Sequence, residues 1–74
     1  MYTVYEDHNG WYVLADTDDV HHEGVALESF ETAQEAWDYS ESFAEKTADE
    51  VGANAIYTVH PDIPRAAVWT LRPK

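Results

Sequence analysis

Four histidines, His8, His21, His22 and His60, are the side chains of this chain best suited to hold a metal or move a proton. Asp18, Asp19 and Glu23 stand beside the middle pair as oxygen donors. A catalytic zinc takes three protein ligands drawn from such residues. The adjacent pair His21-His22 points to opposite faces of an extended strand, and the chain has no H-E-x-x-H helix. Asp16-x-Asp18-Asp19 suggests a calcium loop, which requires glycine at position six and glutamate at position twelve. Counted from Asp16, those positions hold His21 and Leu27. Ser29, Ser40 and Ser42 lie outside any G-x-S-x-G turn, there is no cysteine, and no glycine-rich phosphate loop is present. The expectation is a non-enzyme with no metal and no cofactor.

The acids carry the stronger pattern. Among 74 residues there are 15 Asp and Glu against 4 Lys and Arg, a formal net charge of −11. On a helix over 33–51, Glu35, Asp38, Glu41, Glu45 and Asp49 fall within about 120° of arc, opposite the apolar side. Their axial steps are about 4.5–6 Å. Phosphates along a nucleic-acid strand are spaced at several ångströms, with about 3.4 Å of rise per nucleotide. Carboxylates satisfy arginine bidentately much as phosphates do. Asp18, Asp19 and Glu23 could extend that negative surface through a loop. Every amphipathic helix has a solvated face, but an ordinary one interleaves both signs, and here Lys46 alone lies within the helix. Two explanations remain open. One is a basic partner surface. The other is a high-salt cytoplasm, where charge is screened within about 3 Å at 1 M salt.

These residues need elements to position them. Residues 2–7 and 11–16 are β-branched and aromatic, and Asn9-Gly10 between them predicts a hairpin whose turn takes positive φ. Residues 25–30 alternate weakly, through Val25, Leu27 and Ser29, as a short third strand. Thr32 and Glu35 form a capping box, and Gly52 closes the far end. Between them Ala36, Trp37, Ser40, Phe43, Ala44, Thr47, Ala48 and Val51 recur at helical period. Residues 55–60 and 66–72 read as strands around a turn at Pro61-Asp62-Ile63-Pro64. The expected fold is α+β: a single domain, 1–74, with an antiparallel sheet of four or five strands and one helix on one face. The order is β-β-(β)-α-β-β. One helix covers one face, so leftover Tyr and Trp would form a contact surface, and a homodimer through the sheet or a strand edge stays open.

The stretch Phe30-x-Thr32-x-x-Glu35-Ala36 after a hairpin resembles small uncharacterised prokaryotic ββαβ domains. In size, charge and organisation the chain is similar to phage-encoded inhibitors of the anti-CRISPR and DNA-mimic type. That resemblance implies binding to a host nucleic-acid-handling complex at its DNA-binding surface, and a cytoplasmic location. It carries no contact residues across. Composition excludes other classes. So acidic a chain does not bind nucleic acid directly. No run of about 18 apolar residues is present to span a membrane. Met1-Tyr2-Thr3-Val4-Tyr5-Glu6-Asp7 is neither basic nor long and apolar, so no signal peptide is expected. The reading is a small acidic binding protein whose helix carboxylates meet a basic surface. The alternative is a halophilic-type adaptor whose acidity is salt adaptation.

Overall fold

A computed structural model describes residues 1–74. The elements are β1 (Tyr2–Asp7), β2 (Gly10–Ala15), β3 (Val25–Phe30), α1 (Ala33–Val51), β4 (Ala53–Val59) and β5 (Ala67–Pro73). The five strands form one antiparallel sheet in the order β3-β1-β2-β5-β4, with α1 packed on it. The expected α+β class and element order hold.

The first hairpin turns one residue earlier than the Asn-Gly signal implies. Asp7 pairs with Gly10, so His8 and Asn9 are the two turn residues. Neither takes positive φ; Gly10, just after the turn, does so at φ 135°. Asn9 N–H donates to Asp7 Oδ1 at 2.8 Å, an Asx-type contact that closes the turn without the left-handed conformation. Gly10 is required for a second reason: a Cβ there would collide with the Trp69 carbonyl oxygen of β5. β2 and β5 pair through just two positions, Trp11 with Trp69 and Tyr12 with Val68, so this close approach lies beside the joint of the sheet.

α1 spans the expected residues, and its caps explain why. Thr32 Oγ1 accepts from Glu35 N–H at 3.2 Å and donates to Glu35 Oε1 at 2.9 Å. Gly52 takes φ 71° and its N–H reaches the Ala48 carbonyl. The buried residues Ala36, Ser40, Ala44 and Ala48 repeat every fourth position. Small side chains on that row let the helix lie close on the sheet. Trp37, Tyr39 and Phe43 flank the row and reach out to Tyr57, Phe30 and Trp11. Val51 ends the predicted apolar face but is 63% exposed, because the chain turns away at Gly52.

The second sheet face is not left bare, contrary to the expectation of a free aromatic surface. Trp11 and Tyr12 are neighbours in β2 and point to opposite faces. Trp11 meets Phe43 of α1. Tyr12 joins Leu14, Val68 and Ile63 in a buried cluster on the other side, with Tyr5, Val20 and Ala66 against it. Val20 belongs to the 16–24 loop and Ile63 to the β4–β5 connection, so two loops do for this face what the helix does for its opposite. β3 also departs from simple alternation. Its register to β1 shifts between Val4 and Tyr5, leaving Leu27 as an extra residue, and Val25 is 67% exposed.

Candidate functional site

The topology gathers what the sequence scatters. His8 lies in the β1–β2 turn, His21 and His22 in the β2–β3 loop, and His60 after β4. All four open onto one concavity of about 270 Å³, together with Asp7, Glu23, Asp62 and Ile63. Nothing in their spacing signals this. It follows from β5 inserting beside β2, which brings the β4–β5 connection over the first hairpin.

The chemistry available there is set by hydrogen bonding. The His60 side chain is buried, and its Nε2 lies 2.8 Å from Asp7 Oδ2. Its Nδ1 accepts the backbone N–H groups of Asp62 at 3.0 Å and Ile63 at 3.2 Å. A backbone N–H can only donate, so Nδ1 carries the lone pair and Nε2 carries the proton given to Asp7. Both ring nitrogens are thereby committed, and the His60 imidazole has no free lone pair for a general base or a metal bond. His22 Nδ1 sits 3.3 Å from the Tyr12 hydroxyl, and its ring stands edge-on to Tyr5 and Tyr12. The Tyr12 ring also meets His60 edge-on. Burial pushes the Tyr12 phenol up to about 12, with the nearby Asp7 charge adding, the Gly24 backbone opposing, and Tyr5 adding again. Gly24 passes so close that a Cβ would strike the Tyr12 hydroxyl. No three His, Asp or Glu side chains are grouped to hold a metal ion. Two of the four histidines thus pack and tie loops, while His8 and His21 are exposed.

The acidic row lies in a different layer. Glu35, Asp38, Glu45 and Asp49 are exposed on α1, and Glu41 is half-buried. On the helical wheel Glu41 falls beside the row that ends at Ala48, which accounts for its burial. Glu35 is engaged in the N-cap, and Asp38 accepts from Gln34 Nε2 at 2.9 Å. The one ion pair of the structure joins the Met1 ammonium to Asp16, while the neutral His60 imidazole donates to Asp7. No lysine or arginine therefore pairs with any acid of the helix. Asp18, Asp19 and Glu23 do not continue this row. They sit in the loop that covers the opposite sheet face. Asp18 Oδ2 there accepts the Ala15 N–H at 2.8 Å, and Glu23 borders the histidine concavity. The sheet stands between the two acidic groups.

No helix is long and apolar enough to cross a membrane. No family model matches the chain, and no curated protein or solved structure matches it.

Proposed function

We propose that the chain is an acidic binding module that occupies the basic surface of a nucleic-acid-handling protein, with α1 as the contacting element. The observation that supports this reading is the state of Asp38, Glu45 and Asp49. They are exposed on one rigid, doubly capped helix and no cation pairs with them. Unpaired like charges at three- and four-residue spacing cost a helix a few tenths of a kcal/mol each. An arginine-rich groove offsets that cost by supplying bidentate partners. Glu35 contributes less than its sequence position implies because the cap holds its carboxylate, and Glu41 less because it is half-buried. The test is displacement of duplex DNA from the partner by the intact chain. Asp38→Arg combined with Glu45→Arg and Asp49→Arg is expected to lose displacement at least tenfold while keeping the native circular dichroism spectrum. Full displacement by that folded variant overturns the assignment.

A second reading, salt adaptation, draws on a different observation: the acids cover both layers, the 16–24 loop as well as the helix. A charge evolved for solvent has no reason to stay on one face. Folding followed from dilute buffer to about 3 M KCl separates the two, because molar salt screens charge within about 3 Å. A chain folded in dilute buffer favours the partner reading, and one that folds only in molar salt favours adaptation.

A further inference from the structure

The charge of the molecule is divided unevenly along the chain. Residues 1–52 hold 14 of the 15 acids and one cation, Lys46, whereas residues 53–74 hold Asp62 against Arg65, Arg72 and Lys74. The β4–β5 hairpin is thus the one part of the fold that is not acidic, and β4 is an edge strand, paired to β5 on one side only.

The two edges of the sheet differ in how they are guarded. β3 carries Glu28, is bracketed by Glu23 and Glu31, and is broken by the bulge at Leu27. Charges and bulges are the usual devices against edge-to-edge pairing. β4 has none of them. Its sequence Ala-Asn-Ala-Ile-Tyr-Thr-Val contains no charge and no proline, and it pairs with β5 without a break over seven residues. Exposed apolar side chains gather there: Tyr57 is 57% exposed and Val59 70%, with Val51 just before the strand at 63%.

We infer that β4 is a self-association edge, joining two copies of this chain through antiparallel β4–β4 pairing into one ten-stranded sheet. A second copy is the occupant because an acidic molecule meets itself with least repulsion at its least acidic surface, and because β4 supplies both halves of a two-fold, self-complementary ladder. A register centred on Ile56, the midpoint of the strand, sets Tyr57 opposite Ala55 of the second copy and Val59 opposite Ala53. Large side chains then face small ones across the joint. Glu45 and Asp49 flank the start of β4, so residual repulsion between copies remains and salt relieves it.

The experiment is sedimentation velocity on the intact chain from about 10 µM to 1 mM, in about 0.15 M and 1 M salt. The expected result is a concentration-dependent dimer whose dissociation constant tightens with salt. Thr58→Lys and Val59→Lys, tested separately, are expected to weaken it at least tenfold with unchanged circular dichroism, although each lowers the net negative charge. Ala26→Lys on β3 is expected to leave it intact. A monomer at every concentration and salt overturns the inference. So does a dimer that survives both β4 substitutions or is lost with Ala26→Lys.

Discussion

His60 and Asp7 are 53 residues apart and meet at 2.8 Å, with the imidazole buried and its other nitrogen taken by two backbone N–H groups. This contact ties the β4–β5 connection to the end of β1. It holds Ile63 in place over Tyr12, Leu14 and Val68. Removing the ring orphans a buried carboxylate contact and two turn donors. His60→Ala is expected to cost about 2–4 kcal/mol in urea unfolding. The tautomer is a sharper check. Nitrogen NMR at neutral pH should find the His60 proton on Nε2, and a proton on Nδ1 would contradict the hydrogen bonding described.

Tyr12 makes stability fall in alkali. An unfolded tyrosine releases its proton near pH 10, and the folded Tyr12 holds it to about 12. Between these values the native chain binds a proton that the unfolded chain has lost, so stability declines as pH rises. The contribution is fully present below pH 10 and gone above about 12, a loss of roughly 2–3 kcal/mol. Tyr12→Phe removes the ionisation, so denaturant midpoints of that variant should be flatter across this window. An equal slope for both proteins would place the effect elsewhere.

The helix termini should be sensitive in a graded way. Thr32→Ala removes the acceptor for Glu35 N–H and is expected to cost about 1 kcal/mol. Gly52→Ala meets no atom within 4 Å, so its cost comes from the left-handed backbone alone, about 1–2 kcal/mol. Gly52→Asn should cost less, because asparagine tolerates that conformation. Thermal unfolding of the three variants gives the ranking, and an alanine as good as asparagine at position 52 would contradict it.

Ile63 is the least expected member of the core. It lies between two prolines in a segment that reads as a turn, yet it is 2% exposed. Ile63→Ala should therefore lose about 2–4 kcal/mol, the range of a buried aliphatic truncation. A loss below about 0.5 kcal/mol, typical of a surface site, would show that the loop does not cover the sheet.

What could be read from the sequence divides along a physical line. Local signals sufficed for α1, because Thr32, Glu35 and Gly52 fix its ends through contacts a few residues apart. The strands were legible from β-branched and aromatic runs, with ends differing by one or two residues. The second layer over Tyr12 was not legible. It depends on two loops of largely polar composition whose few apolar residues, Val20, Ile63 and Ala66, carry no periodicity. The shared histidine concavity was hidden for the same reason, since three separate connections create it. The helical wheel placed the five acids of α1 together, but it could not show that the sheet separates Asp18, Asp19 and Glu23 from them.

The proposed contact is between the helix acids and a basic, DNA-binding surface. The most direct measurement is retention on the immobilised chain, eluted with duplex DNA and compared with the Asp38→Arg, Glu45→Arg, Asp49→Arg variant. The expected result is a retained nucleic-acid-binding protein that DNA releases, whose retention weakens as salt increases, and that the folded triple variant fails to hold. Equal retention by the variant, or a retained protein that DNA does not release, would contradict it.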